Sequence, residues 1–288
     1  MKELKKLLAL AMIFILGISL VACGGNNKDQ NNSESENAPS ESTGTLEDIK
    51  KSGKLVVGTS ADYPPYEFHA MIDGKDQIVG FDMNIAKAVA DDLGVELEIQ
   101  DLGFDAALQA VQTGLVDLGI GGINPTPDRQ EAFEISDIYY TAEYVALISK
   151  EKMAEFNELS DLDGKEIGVQ TASVQEGFVN ENLKPSSLLS LPKITDLVIQ
   201  LNSGLIDAII LEKNVAESYV KANSELAMAN IDFSNEDIEG GSAVIASKGN
   251  TELMAEVNKT LKRLIEDGSI DKWYLEAVEQ TEFLVEME

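Results

Sequence analysis

The chain has 288 residues, and its 51 acidic against 22 basic side chains give a net charge of −29 at pH 7. An apolar fraction of 44% is ordinary for a globular protein, so the length allows one or two lobes with a sizeable core. The acidic surface argues against a nucleic-acid partner or an anionic membrane patch, because both are themselves negative.

Residues 1–22 have the pattern of a bacterial export signal. Three lysines precede an apolar run over 7–21, which is short for a membrane span and typical of a signal peptide. The run ends in LVAC at 20–23, which resembles a lipobox, in which the Cys receives lipid and becomes the mature N-terminus. Cys23 is the only Cys, so an internal disulfide is impossible. We predict a lipoprotein signal peptide and a palmitate-type lipid on Cys23; an ordinary signal peptide beside a stray Cys is the alternative.

Residues 23–44 predict a disordered tether. After its first residue this stretch reads GGNNKDQNNSESENAPSESTG and contains no bulky apolar side chain. Such a segment cannot bury a core and behaves as a flexible linker. We therefore expect the folded part to begin near Thr45.

The folded part opens with an apolar strand at 55–58 that runs into the aromatic loop TSADYPPYEF. Two prolines stiffen this loop, and its rings can cover an apolar or cationic side chain. We assign a site role to Tyr63 and expect Tyr66 and Phe68 to close the end of the sheet. Phe104, between a later strand and a helix, is placed to form the opposite wall.

The stretch GLVDLGIGGINPTPDR at 114–129 predicts an anion site. An apolar strand at 115–120 leads through a glycine-rich loop to a helix start, with Thr126 at the N-cap and Pro127 at the first helical position. Backbone N–H groups and the positive helix end face a ligand there. Arg129 lies in the first turn, and its planar fork can hold a carboxylate by two parallel bonds. The stretch therefore predicts a site for a small carboxylate-bearing molecule.

Two pairs of similar segments indicate two similar lobes. The segment ALQAVQTGLVDLGI at 107–120 is echoed by LVIQLNSGLIDAII at 197–210, and GKLVVG at 53–58 by GKEIGV at 164–169. Strands that alternate with amphipathic helices favour parallel α/β sheets, whose ligands lie beyond the carboxyl ends of the strands. With two lobes, that crevice can lie between them.

The second half carries its own anion signal. A strand at 166–169 leads to Ser173 and Glu176, which have the S-x-x-E spacing of a capping box. This pattern predicts a second helix N-terminus at a strand end. Capping boxes are common, so the weight of this one comes from its position, which matches the start of the first half.

Five segments, in this order, resemble the extracellular solute-binding proteins (family 3) of polar amino acid ABC importers: GTSADYPPYEF, GFDMNIAKAVADDLG, TGLVDLGIGGINPTPDR, ISDIYY and GKEIGVQTASVQE. The resemblance covers about residues 45–285. It implies an α/β, two-lobed periplasmic-binding-protein fold of type II with two hinge crossover strands, near 140–144 and 239–243. Lobe 1 would then comprise residues 45–142 plus 242–288, and lobe 2 residues 143–241.

The resemblance also implies how the ligand's backbone groups are held. Arg129 would pair with the α-carboxylate of an amino acid, helped by Asn124 and Ser173. Gly122 would accept from the α-ammonium through its carbonyl, and the acidic partner of that ammonium falls on Glu212. The family more often has Asp at this last position, so the longer side chain is a departure that bears on the ammonium geometry.

Four more positions match those that meet the ligand side chain. Tyr63 and Phe104 would sandwich it, while Ser60 and Gln170 would meet its far end. The sequence departs from the family at Asn124, where Ser or Thr is frequent, and at Ala172 and Val174, where Gly is frequent. These departures bear on specificity and leave the fold expectation intact.

The function implied is that of a lipid-anchored substrate-binding component of an ABC importer, outside the membrane of a Gram-positive bacterium. We expect a monomer without cofactor or metal that captures a polar amino acid, closes around it and delivers it to permease subunits. Arginine, lysine, histidine and glutamine all fit, and the aromatic pair slightly favours a cation. No carboxylate stands out as the partner of a distal cation, although Asp62 and Glu67 are candidates.

Two other functions stay open at this point: a dehydratase-type enzyme acting on a small carboxylate on the same fold, and a surface lipoprotein that senses an amino acid without transport. Catalysis needs a positioned acid or base. The single His, His69, falls in a stretch over 67–76 that the sequence predicts as an exposed polar loop. No metal-ligand cluster and no G-x-S-x-G motif occurs in the sequence.

Overall fold

The computed structural model describes residues 45–236, 238 and 240–284. The predicted signal peptide, Cys23 and the predicted tether lie outside these residues. The strands are β1 (Lys54–Thr59), β2 (Asp62–Tyr63), β3 (Glu67–Ile72), β4 (Lys75–Val79), β5 (Glu96–Asp101), β6 (Leu118–Gly119), β7 (Phe133–Ile135), β8 (Tyr144–Ser149), β9 (Glu166–Gln170), β10 (Ser187–Leu191), β11 (Ala208–Glu212), β12 (Leu226–Met228) and β13 (Ile245–Ser247).

The α-helices are α1 (Leu46–Ser52), α2 (Phe81–Leu93), α3 (Phe104–Gln112), α4 (Pro127–Ala132), α5 (Val174–Asn182), α6 (Ile194–Asn202), α7 (Lys213–Ala222), α8 (Thr251–Glu266) and α9 (Ser269–Gln280). Short 3-10 helices occupy Lys150–Glu155, Leu159–Leu162 and Thr281–Phe283. Among the described helices, none combines the length and the apolar composition that a membrane crossing requires.

Two five-stranded sheets have the same arrangement of strands, except that the fourth strand comes last along the chain in the first sheet and first in the second. The first runs β5-β1-β6-β13-β7 and the second β10-β9-β11-β8-β12. In each sheet the three leading strands are parallel, and the fourth, β13 or β8, pairs antiparallel with both neighbours. The internal echo in the sequence thus corresponds to two sheets of one strand arrangement, and the α/β prediction is confirmed.

The echoed Gly-x-x-Asp has the same role in both sheets. Gly114 and Gly204 adopt left-handed φ angles of 73° and 72°, which glycine reaches without strain. Three residues on, Asp117 Oδ2 accepts the Val56 N–H at 2.8 Å, and Asp207 Oδ2 accepts the Glu166 N–H at 2.9 Å. Each Asp therefore joins the turn before the third strand of its sheet, β6 or β11, to the second strand, β1 or β9.

The chain passes between the two sheets twice, once after β7 and once after β12. An isolated antiparallel bridge pairs Tyr140 with Ser242, which joins the two passing segments. The segments run where the crossover strands were predicted, except that Glu239 lies outside the described residues. The lobe boundaries remain predictions.

Two local predictions need correction. The strand expected at 115–120 is reduced to β6, because the turn at Gly114 extends to Asp117, whose side chain bonds to β1. The stretch over 67–76 is not an exposed loop: it forms most of the hairpin β3–β4 within the small sheet β2-β3-β4. His69 lies on β3 and its ring contacts Asp76 and Asp101.

Candidate functional site

The carboxyl ends of strands from both sheets line one cleft. β1 leads to Ser60, β6 to Gly121 and Gly122, and β9 ends at Gln170. The residues that line the cleft are Ser60, Tyr63, Glu67, Phe104, Gly121, Gly122, Asn124, Gln170, Ser173 and Gln175. Seven predicted site residues are among them; Arg129 and Glu212 are not.

Arg129 lies beside the cleft on α4, and its local structure confirms the predicted helix start. Thr126 is the N-cap and its Oγ1 accepts the Arg129 N–H at 3.2 Å, while Pro127 fills the first helical position. The buried guanidinium donates to Asn124 O at 2.8 Å and to Ala172 O at 2.9 Å. It also stacks over the Phe104 ring at 5.4 Å. These contacts fix the plane of its fork and join elements of the two sheets.

Ser173 is the N-cap of α5, as its spacing predicted. Its Oγ accepts the Glu176 N–H at 3.1 Å. The return bond of a capping box is shifted by one residue, because Glu176 Oε2 accepts the N–H of Ala172 at 2.7 Å. Ala172 has a left-handed φ of 63°, a conformation that costs a residue with a Cβ about 1 kcal/mol and that glycine adopts freely.

The aromatic walls come from both sides of the glycine loop. Tyr63 and Phe104 are each 7% exposed. A Cβ at Gly122 would lie 3.1 Å from the Tyr63 ring, a tight contact, and the φ of 57° is left-handed, so this position favours glycine. Tyr66, behind Tyr63 at a centroid distance of 5.5 Å, is fully buried, as expected for a ring that closes the sheet.

Glu212 is the last residue of β11 and is fully buried, in contact with the Tyr66 ring behind the cleft. Its Oε2 accepts the Tyr66 hydroxyl at 2.6 Å. Burial above all, helped by the nearby Asp82 carboxyl, raises the pKa of Glu212 to about 7, against the hydrogen bonds from Tyr66 and Asn124, which lower it. The carboxyl therefore titrates near neutral pH, in a position to respond to a cation in the cleft.

Glu67, the first residue of β3, is one of the two carboxylates that the sequence left as candidates for a distal cation, and it was not among the nine assigned ligand residues. It lines the cleft and is 1% exposed. A Cβ at Gly121 would lie 2.9 Å from its Oε1 and 3.1 Å from Thr59 Oγ1, so the loop backbone passes directly over the carboxyl. Within the described part of the chain, Glu67 Oε2, Thr59 Oγ1 and Asp82 Oδ1 are buried without a geometric hydrogen-bond partner. Buried polar atoms in this state call for a ligand or a proton.

Several contacts away from the cleft also join the two sheets' elements. The Asp62 carboxylate accepts the Thr195 N–H at 3.2 Å, and the Asp62 carbonyl accepts the Tyr219 hydroxyl at 2.7 Å. Lys193 Nζ pairs with Asp101 at 3.0 Å. Together with the bond from Arg129 to Ala172 O, they define a closed arrangement in which the walls of the cleft are in contact.

Comparison with known proteins identifies relatives over most of the chain. Residues 55–278 match the bacterial extracellular solute-binding proteins, family 3. The chain is 37% identical over 279 residues to the arginine-binding extracellular protein ArtP of Bacillus subtilis (strain 168), covering 93% of this chain and 96% of the relative.

Solved structures similar to this chain are also amino acid-binding proteins. The substrate-binding protein AbpA of an amino acid ABC transporter from Streptococcus pneumoniae Canada MDR_19A, bound to L-arginine, has a TM-score of 0.78 and 41% identity, covering 82% of this chain and 98% of that one. The ancestral amino acid-binding protein AncCDT-1, a precursor of cyclohexadienyl dehydratase, has a TM-score of 0.72 and 31% identity, covering 81% and 99%.

Proposed function

Because the chain belongs to the bacterial extracellular solute-binding proteins, family 3, and has their type II periplasmic-binding-protein fold, we propose that it binds arginine as the substrate-binding component of an ABC importer. The relatives' names support the transport context: ArtP is an arginine-binding extracellular protein, and AbpA is an amino acid ABC transporter substrate-binding protein. Delivery to permease subunits, by a monomer, is part of the proposal.

The α-carboxylate of the ligand would lie against Arg129. The guanidinium has five N–H donors in a rigid fork, and its bonds to Asn124 O and Ala172 O hold that fork in place. The N-terminus of α5, capped by Ser173, adds a positive helix end on the facing side. These two features suit a carboxylate that is bound between the two sheets.

The α-ammonium would lie near the Gly122 carbonyl and Glu212. Tyr63 lines the cleft and stacks at 5.5 Å on Tyr66, whose hydroxyl donates to Glu212, so the ammonium would be held by the field of that carboxyl and by a modest side-chain shift. Burial leaves the pKa of Glu212 at about 7, and a neighbouring cation would favour its ionised form.

Glu67 is the reason for proposing arginine as the ligand. A buried carboxyl with an unpartnered oxygen, in a cleft walled by Tyr63 and Phe104, matches a side chain with an apolar stem and a distal cation. Of the two candidates that the sequence left, Asp62 is already bonded to Ser60 and to the Thr195 N–H. Glu67 is therefore the favoured partner of the guanidinium, with Ser60 and Gln170 beside it.

Closure would follow from the way these contacts are shared. Arg129, Tyr63 and Glu67 belong to segments beside the first sheet, whereas Gln170 and Ser173 lie at the end of β9 in the second and just after it. A ligand that contacts both sets stabilises the closed state over any open one, and its differential affinity drives the change.

The test is titration calorimetry of the purified protein with arginine, lysine, histidine, glutamine and citrulline, the neutral isostere of arginine. We expect arginine to bind at micromolar Kd or tighter, which is about −8 kcal/mol or stronger. Citrulline should bind at least about 100-fold more weakly, because its neutral distal group forms no ion pair with Glu67. Equal affinity for citrulline, or no binding of any of the five, would contradict the proposal.

We propose binding without turnover, and treat a dehydratase-type activity as the rejected alternative. The relatives are named for binding, and AncCDT-1 is itself described as amino acid-binding. His69 is bonded to two carboxylates, and it is not among the residues that line the cleft. After prolonged incubation with the protein, mass spectrometry should show that the arginine is chemically unchanged. Any new product would support the enzyme hypothesis instead.

The location we propose is the outer face of the cell membrane of a Gram-positive bacterium, with lipid on Cys23. The supporting features are the signal pattern, the extracellular family and the Bacillus relative. A Cys23→Ser variant, expressed with its signal, should move from the membrane fraction to the medium. A sensor without transport would instead leave arginine uptake intact in a strain that lacks the protein.

A further inference from the structure

Asp82 ties three segments together beneath the cleft. It lies in the first turn of α2 and is fully buried. Its Oδ2 accepts the Gly122 N–H at 3.1 Å and the Tyr139 hydroxyl at 2.7 Å. One carboxyl oxygen therefore holds the glycine loop of the ligand site and the segment that passes toward the second sheet.

The other oxygen of Asp82 faces a second carboxyl. Asp82 Oδ1 and Glu67 Oε2 are both buried, and neither has a donor among the described residues. The backbone nevertheless holds the two carboxyl groups close together. Gly121 lies against Glu67 Oε1 while the next residue, Gly122, donates to Asp82 Oδ2, and the Asp82 N–H donates at 3.0 Å to the carbonyl of Tyr66, the residue before Glu67. Two ionised carboxylates have only acceptors, so such a contact requires one proton between them.

The surroundings retain that proton at neutral pH. Burial, and then the Asp82 charge, raise the pKa of Glu67 well above its ordinary value, and the carboxyls of Asp62 and Glu212 add to the rise. Burial raises the pKa of Asp82 to about 7, against the hydrogen bonds from Tyr139 and Gly122 that lower it. Tyr139 faces the pair as a neutral donor, since burial raises its own pKa well above its ordinary value.

We propose that Asp82 positions Glu67 for the ligand's side-chain cation by sharing one proton with it, and that the cation displaces this proton into solvent. The inference rests on the proposed function, because it needs a cationic ligand at Glu67. The charges balance: a pair of charge −1 becomes a pair of charge −2 and gains the guanidinium charge of +1, while one proton leaves.

The shared proton would also determine specificity. A neutral side chain such as that of citrulline can accept from, or donate to, the protonated pair without displacing anything. Arginine binding therefore rises with pH relative to citrulline binding, whereas the α-ammonium and α-carboxylate, common to both ligands, contribute equally. Any proton exchanged at Glu212 cancels in the comparison for the same reason.

The matched variant is Asp82→Asn. Its amide oxygen can still accept from the Gly122 N–H and the Tyr139 hydroxyl, so the loop stays in place. Its amide nitrogen can donate to Glu67, which then ionises without a shared proton. A merely structural Asp82 would leave the proton count of binding unchanged in this variant.

The experiment is calorimetry at pH 8, above the pKa of Asp82 at about 7, in buffers of different ionisation enthalpy, which counts the protons released on binding. In the native protein we expect arginine to release about one proton more than citrulline. In the Asp82→Asn variant arginine should still bind and this difference should fall close to zero. Equal release by the two ligands in the native protein, or an unchanged difference in the variant, would overturn the inference.

A second measurement covers the case of a variant that does not fold. In the native protein the ratio of citrulline Kd to arginine Kd should rise up to about tenfold per pH unit between pH 7.5 and 9, where Asp82 is ionised and Glu67 retains the shared proton. A flat ratio would overturn the inference while leaving arginine binding intact. Absence of arginine binding at every pH would instead remove the proposed function, and this inference with it.

Discussion

Replacing Glu67 with Gln should convert the protein from one that prefers arginine to one that does not. The substitution removes the negative charge in the cleft and keeps the shape of the side chain. The amide introduced by Glu67→Gln can still bond to Asp82, so the small sheet that includes β3 should remain folded. The variant therefore isolates the carboxylate charge.

The magnitude follows from burial and protonation. Removing one partner of a buried ion pair costs about 3–5 kcal/mol, or two to four decades in Kd. In the native protein, part of this energy is needed to ionise Glu67, whose pKa is raised by burial and by Asp82, at about 1.36 kcal/mol per pH unit. At pH 7 we therefore expect the lower end, about a 100-fold loss for arginine, and a larger loss at higher pH.

The assay is calorimetric titration of both proteins with arginine and citrulline at pH 7 and pH 8.5. Citrulline affinity should change by less than about threefold, because its distal group is neutral in either complex. Glu98→Gln is the matched control: it removes the same charge from β5, where Glu98 pairs with Lys54 in solvent, and it should leave both affinities unchanged. Equal losses for arginine and citrulline, or no loss for arginine, would refute the assignment of Glu67.

Three further outcomes follow from the site. Arg129→Ala should abolish arginine binding up to millimolar ligand while the circular dichroism spectrum stays native; unchanged calorimetric affinity would refute the carboxylate site. Glu212→Gln should weaken arginine binding more than Gln170→Ala does, and the reverse order would mean that the ammonium is bound elsewhere. The free energy of unfolding of the ligand-free protein, measured in urea, should fall as the pH rises from about 4 to 7. Burial raises the pKa values of Asp82 and Glu212 to about 7, so the folded state binds more protons than the unfolded chain. Each group contributes roughly 3–4 kcal/mol, and Glu212→Gln should reduce the slope of this free energy against pH.

Features of the site that depend on neighbours along the chain could be predicted from the sequence. Local capping specifies two helix starts, because the hydroxyls of Thr126 and Ser173 each accept the N–H of the residue three positions on. Pro127 fills the first helical position after Thr126, so pattern and structure agree. The strand–loop–helix order around Gly122 follows from the same local rules. The matching strand arrangement of the two sheets was likewise visible in the repeated Gly-x-x-Asp.

Features that depend on distant segments could not be predicted in this way. Glu67 starts a strand with both neighbours buried, so alternation gives no sign that its carboxyl lies under Gly121, a residue far along the chain. The position of the Glu212 carboxyl could not be predicted either. It bonds to Tyr66, a residue that the sequence analysis assigned only to closing the end of the sheet. Charge burial of this kind is a property of the assembled fold and not of any one segment.

The buried carboxyls explain why such a site needs its ligand. Asp62, Glu67, Asp82 and Glu212 are each at most 3% exposed. Burial raises the pKa of every one of them, and repulsion from the other carboxyls adds to the rise for Glu67 and Glu212. Without a cation, the protein must either hold protons on these groups or tolerate buried like charges. A ligand that carries one cation at each end removes both penalties at once. Part of its binding energy therefore comes from removing the unfavourable burial and repulsion of these carboxyls. The ligand-free fold is thereby less stable than its packing allows, and under the proposed function that deficit would favour a doubly cationic amino acid over a neutral one.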